Sequence, residues 1–107
     1  MFWVEFPAGA GRAQAGRRPA ILVQTSEASA RLPTVLLIPL TSQFDALRFP
    51  GTVLVESDAG NGLTRASVAL VFQLTAIDKR FLGPKLGTVS LRVMTLLWEA
   101  FDETTGR

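Results

Sequence analysis

The sequence predicts a mainly β domain: a small antiparallel barrel, or a strongly curled sheet, carrying one C-terminal α-helix. Three observations carry that expectation. Short apolar runs recur along the chain with Gly, Pro and Asn between them. Only one segment, near the C-terminal end, has a helical period. And 107 residues with 48% apolar content can build one core but not two, so residues 1–107 are read as a single domain.

Taken in order, Phe2-Trp3-Val4-Glu5-Phe6 reads as a first strand stopped by Pro7, and Ala20 to Thr25 as a second, opened by Pro19. Pro33 to Thr41 is almost continuously apolar, as expected of a strand buried on both faces. Pro39 inside it belongs where a missing N–H does no harm, at an edge or a bulge. Thr52 to Glu56 alternates more clearly, Ser67 to Ala76 is another long buried run, and Lys85 to Val89 is a short last strand. That makes five or six strands, with a turn of helix expected in the Thr25–Arg31 or Gln43–Leu47 connection. Ser90 is a good N-cap for the helix, and Arg92, Thr95, Glu99, Asp102 and Glu103 fall on one polar stripe roughly 100° wide. The rest, from Leu91 to Phe101, is apolar, an arc wider than one sheet requires. Either the helix sits in a cleft of its own domain or another chain covers part of it. So small a domain has little surface with which to enclose a helix, which favours the second.

Composition narrows the chemistry. There is no cysteine, so neither disulfides nor thiolate chemistry are available, and no histidine, the one side chain whose unperturbed pKa lies near 7. No apolar run reaches the ~18 residues of a membrane span. The start lacks the flanks of a signal peptide. The expectation is a soluble, cytoplasmic domain with no membrane partner. Charge is uneven: residues 1–98 hold ten Lys/Arg against six Asp/Glu, and most of the basic residues are Arg, the side chain suited to bidentate phosphate contacts. A basic domain is compatible with plain solubility and equally with a polyanionic partner.

Three segments offer chemistry. Gly9 to Pro19 joins two short strands with far more residues than a hairpin needs, is rich in Gly, and carries Arg12, Arg17 and Arg18. Backbone N–H groups beside guanidinium groups make an anion cradle, although a solvated hairpin would look similar. Pro39-Leu40-Thr41-Ser42-Gln43 places hydroxyls where a buried strand emerges, which suits either a phosphate oxygen or ordinary turn chemistry. Gln73 to Arg80 sets Asp78 beside Lys79 and Arg80, whose ordinary reading is a salt-bridged surface turn.

In this order the pieces resemble the MazF/PemK family, the toxin halves of type II toxin–antitoxin pairs. The resemblance runs over nearly the whole chain. It begins with Trp3, Val4 and Phe6, continues through Gly11, Gln14, Gly16, Arg18 and Pro19, then Pro39-Leu40-Thr41-Ser42 and Pro50-Gly51. Ser67-Val68, Gln73, Ile77-Asp78-Lys79, Leu82 and the Ser90-started helix complete it. Ala13 stands where many members have Glu, and Thr75 where one branch has Arg.

That resemblance implies an SH3-like barrel forming a homodimer. It implies a sequence-specific, metal-independent endoribonuclease with no cofactor, acting on single-stranded RNA by 2′-OH attack to leave a 2′,3′-cyclic phosphate and a 5′-OH. Arg18 then matches the family's catalytic arginine and Thr41 its catalytic threonine, while Asp78 matches a carboxylate given the base role in one branch. RNA contacts fall to Arg12, Gln14, Arg17, Ser42, Gln43, Arg48 and Gln73, with Phe44 or Phe49 available to stack on bases. The implied partner is a cognate, MazE-like antitoxin whose acidic, disordered C-terminal segment covers the RNA groove, and any DNA contact is made through that antitoxin. Two rival readings keep the fold: a CcdB-like toxin that binds gyrase, and a catalytically weak RNA- or antitoxin-binding module.

Overall fold

The structure, a computed structural model, describes residues 1–7 and 16–107. Seven strands form one bent antiparallel sheet: β1 (Phe2–Phe6), β2 (Gly16–Leu22), β3 (Thr34–Thr41), β4 (Thr52–Val55), β5 (Ser67–Leu70), β6 (Thr75–Asp78) and β7 (Leu82–Lys85). The strand order is β4-β5-β3-β2-β1-β7, with β6 on the first half of β3, so the sheet is barrel-like but open. A short helix α1 (Ser26–Arg31) links β2 to β3, and α2 (Leu91–Thr105) ends the fold. Single 3-10 turns at Phe44–Arg48, Val71–Gln73 and Lys79–Phe81 carry the chain around corners. No helix among the described residues is long and apolar enough to cross a membrane.

β3 is the spine, and its burial explains its sequence. In the first half Val35 and Leu37 are buried while Leu36 is exposed, the alternation of a strand with one covered face. From Leu37 to Thr41 every residue is buried. There the two faces feed two cores: Leu37 and Val35 pack with Val4, Phe6, Ala20 and Ile77, whereas Ile38 and Leu40 pack with Ile21, Val55, Val71 and Leu97. The second core exists because α2 lies over that face and contributes the fully buried Leu97. Pro39 sits where β3 changes partner. Leu37 pairs with Thr75 of β6 and Leu40 with Ala69 of β5, so Pro39 falls in the gap between the two ladders, where a donor is not needed.

Four expectations change. β2 begins at Gly16, so Arg17, Arg18 and Pro19 are strand residues paired with Glu5, Val4 and Trp3 rather than parts of a loop. The run 67–76 is two strands separated by a 3-10 turn, because β5 and β6 pair with different halves of β3. The last strand is Leu82–Lys85, on the edge of β1, and 86–90 is irregular. Seven strands form, counting β6, which the long apolar run concealed. The helix forms as its pattern demands: the Ser90 hydroxyl accepts from the Val93 N–H at 3.2 Å. The sheet covers only part of its apolar arc, leaving Leu91, Leu96 and Trp98 exposed. Both connections expected to hold a helical turn do so, α1 being capped by the Thr25 hydroxyl at 3.1 Å from the Ala28 nitrogen.

Candidate functional site

The start of β2, the end of β3 and the start of β5 meet at one rim of the sheet. Ala20 is opposite Pro39, and continuing that antiparallel register by two residues sets Arg18 opposite Thr41, which is itself opposite Val68. The rim surrounds a cleft of about 360 Å³ whose walls include Trp3, Arg17, Arg18, Leu40, Ser42 and Arg65. Three guanidinium-bearing residues line it, and no carboxylate does so among the described residues. Arg17 leans over the Trp3 indole, its guanidinium carbon 4.5 Å from the ring centroid, although Glu5 is its cross-strand neighbour. The ion pairs among the described residues are Arg31–Glu27, Arg48–Asp45 and Arg107–Asp102, so none neutralises Arg17 or Arg65.

Thr41 lies just beneath the rim at 5% exposure, where its hydroxyl accepts from the Gln43 N–H at 3.2 Å. It thereby fixes the turn that presents Ser42 in the cleft and Gln43 beside it. Ser67, which is also buried, closes the floor at the head of β5.

The wall opposite β2 is the connection from β4 to β5, and its local sequence explains its shape. Asn61 is buried at 1% exposure; its amide donates to the Glu56 carbonyl (2.9 Å) and its side-chain oxygen accepts from the Leu63 (3.0 Å) and Asp58 (3.3 Å) N–H groups. Asp58 accepts from Gly60 and Asn61, both at 2.8 Å, and the Gly60 carbonyl accepts from the Thr88 N–H at 2.8 Å. Gly62 has φ of +77°, and a Cβ there would lie 2.2 Å from the Leu86 carbonyl oxygen. A Cβ at Gly87 would meet Gly60 just as closely, 2.3 Å from its oxygen. The segment is therefore clasped to residues 86–88 and delivers Thr64 and Arg65 to the cleft.

The expected site residues separate into groups. Arg17, Arg18 and Ser42 share the cleft, with Thr41 below it and Gln43 next to it. Arg12 and Gln14 lie outside the described residues. Arg48 is on an exposed 3-10 turn, over Phe49 and beside Asp45, and Gln73 is in the turn between β5 and β6; neither lines the cleft. Asp78 does not reach it. It pairs with Thr34 at the far end of β3 from Thr41, about 23 Å away at the ordinary rise of a strand. Its carboxylate instead accepts from the Arg80 N–H at 2.9 Å, capping a 3-10 turn. Arg65 is the cation and Trp3 the aromatic among the cleft residues that sequence reasoning did not single out for the site, and Thr64 and Ser67 are polar ones. A lone Arg after a Gly/Asn turn has no pattern of its own, and only pairing of β5 with β3 brings it to this rim. Among the described residues no three acidic side chains gather where they could hold a metal ion.

Comparison with known proteins agrees with this architecture. Over 93 residues the chain is 31% identical to the endoribonuclease EndoA of Bacillus subtilis, covering 86% of this chain and 78% of that protein. It is 29% identical over 96 residues to the endoribonuclease MazF of Staphylococcus saprophyticus, covering 90% and 79%. Among solved structures, MazF from Deinococcus radiodurans superposes with a TM-score of 0.82 at 22% identity, covering 99% of this chain and 92% of that one. The Mycobacterium tuberculosis toxin MazF-mt6 gives 0.77 at 21%, covering 98% and 95%. The family model for the PemK-like, MazF-like toxin of type II toxin–antitoxin systems matches residues 1–104, and the chain belongs to that family.

Proposed function

We propose that this protein is an endoribonuclease that cuts single-stranded RNA within its arginine-lined cleft. The observation that carries the reading is that Arg17, Arg18 and Arg65 converge on one cleft whose described lining holds no carboxylate. Such a cleft attracts a phosphodiester and repels nothing in it. In the reaction the ribose 2′-oxygen forms a bond to phosphorus while the bond to the 5′-oxygen breaks, leaving a 2′,3′-cyclic phosphate and a 5′-OH. Negative charge builds on the non-bridging oxygens, so a guanidinium already in place stabilises the transition state more than the ground state. Arg18 has that role, and its permanent charge makes it a clamp rather than a base. Thr41 keeps the strand-end turn in place, and its remaining O–H is a donor for a phosphate oxygen entering between Ser42 and the guanidinium. Asp78 of the same chain is too far along β3 to act at this cleft.

EndoA and the two MazF relatives in sequence are endoribonucleases by name, and solved relatives include a MazE–MazF assembly from Deinococcus radiodurans and a mycobacterial endoribonuclease with its cognate antitoxin. The same kinds of partner suit this chain: an antitoxin with an acidic segment over the cleft, and a second copy against the apolar residues that α2 leaves exposed.

Incubation with a long single-stranded RNA in EDTA is expected to give discrete fragments with 5′-OH ends. A substrate with deoxyribose at the cut position is expected to stay whole; cleavage of it at an equal rate would rule out attack by the 2′-oxygen. Intact RNA together with captured gyrase would favour a gyrase-binding toxin instead.

The acid–base side has its own signature. The sequence contains no imidazole and the cleft's described lining no carboxylate, so the 2′-OH proton passes to solvent hydroxide and the departing 5′-oxygen takes one from water. Log kcat/KM is therefore expected to climb by about one per pH unit between pH 6 and 8. A flat profile over that range would mean that an ionised carboxylate, such as Asp78 of another copy, takes the proton.

A further inference from the structure

Arg65 is the cation that neither the strand pattern nor the motif spacing accounts for. The connection that carries it runs from Glu56 to Ala66, longer than a hairpin requires. Its hydrogen bonds are spent on rigidity: the buried Asn61, the Asp58 turn and the close passage of Gly62 and Gly87 fix the chain up to Leu63. Two residues later Arg65 is exposed, without an ion pair among the described residues, and lines the cleft shared with Arg17 and Arg18. An unpaired cation held by so firm a mount is arranged to meet something from outside.

The sheet order says where. Arg65 lies two residues before β5, Ser42 follows β3, and Arg18 is on β2, so the cleft crosses the strand ends. β5 and β2 are two strand spacings apart, about 9.6 Å between backbones, with Arg65 set further off by its place ahead of β5. That span exceeds one phosphate group. We propose that Arg65 is a positioning residue that holds the phosphate next to the one being cut, fixing which linkage of the RNA comes to rest at Arg18. This rests on the RNA-cleaving reading and adds a course to it: the RNA strand lies across β2, β3 and β5 rather than along them.

The test uses the whole chain and a short RNA containing one cut site, with the 2′-OH at that site replaced by 2′-methoxy for binding measurements. Arg65→Gln is expected to bind about tenfold more weakly at low salt. Its plot of log K against log[salt] should be shallower by about 0.7, the share of one released counterion for a single strand. With cleavable RNA the loss should fall on KM rather than kcat. Replacing each linkage in turn by an uncharged methylphosphonate then locates the contact. At one linkage beside the cut, neutralisation should weaken the wild type but not weaken Arg65→Gln further, a non-additivity that a merely structural role would not produce. Arg65→Lys should restore most of the salt slope. If wild-type protein binds and cuts while Arg65→Gln keeps the full slope and is additive at every linkage, Arg65 does not hold a phosphate. If the non-additive linkage is the scissile one, Arg65 belongs to the clamp and the positioning role is wrong. Wild-type protein that bound no RNA at all would instead overturn the reading of the cleft, and the inference with it.

Discussion

Arg18→Ala is expected to slow RNA cleavage by about 10²–10³-fold, the usual cost of losing one donor aimed at a developing oxyanion, or about 3–4 kcal/mol of transition-state stabilisation. Stability should change little. The β2 backbone stays paired with β1 through Val4 and its neighbours whatever the side chain, and the core beneath is built from Ala20, Leu37 and Val4. Arg18→Lys should recover only part of the rate, because an ammonium delivers a point charge where the planar fork makes two parallel contacts. Single-turnover cleavage, read beside a thermal melt of each variant, checks this. Full activity in the alanine variant would remove Arg18 from the mechanism, and the assignment of the cleft would fall with it.

Gly62→Ala is expected to be the most damaging small change outside the core. The left-handed backbone at φ +77° costs an L-residue about 1–2 kcal/mol, and the new Cβ would meet the Leu86 carbonyl oxygen at 2.2 Å. The chain has to lift away from residues 86–88. In doing so it strains the Thr88–Gly60 hydrogen bond and the partners of Asn61, each worth about 1 kcal/mol or more when buried. A loss of about 3 kcal/mol in urea denaturation should accompany weakened RNA cleavage, since Thr64 and Arg65 move with the lifted segment. Gly60→Ala, two residues away, is the control. A Cβ there finds its nearest neighbours at 3.5 and 3.7 Å, so the change should be nearly neutral. Equal losses in the two variants would show that the clasp is not what Gly62 provides.

The places where sequence and structure part company share a cause. β1 and the second half of β3 were legible because alternation and continuous apolarity report directly how many faces of a strand are covered. Gly16-Arg17-Arg18-Pro19 and Leu82-Gly83-Pro84-Lys85 have no strand signature; each is a strand only because β1 supplies hydrogen-bonding partners along it. The same dependence hid the break at Val71–Gln73, which follows from β3 having two partners rather than from any local propensity. In the site, Arg18, Thr41 and Ser42 were named through the family resemblance rather than from strand positions, and it is the register of β2, β3 and β5 that brings them to one rim. The remoteness of Asp78 could not be read, since it is decided by where β6 lands along β3. Arg65 was invisible for the opposite reason: its loop is ordered by one buried Asn and two close-packed glycines, and neither residue type advertises what lies two positions downstream.

The make-up of the cleft wall bears on how such a protein can be restrained. Guanidinium groups keep their charge at every acidity a cell survives, and the hydroxyls of Ser42 and Thr64 do not ionise. Mild acidification and oxidants alike find no trigger among those side chains. Apart from the slower rate that scarcer hydroxide brings, silencing through this wall would be steric: a plug in the opening would withhold the cleft, and its withdrawal would return it.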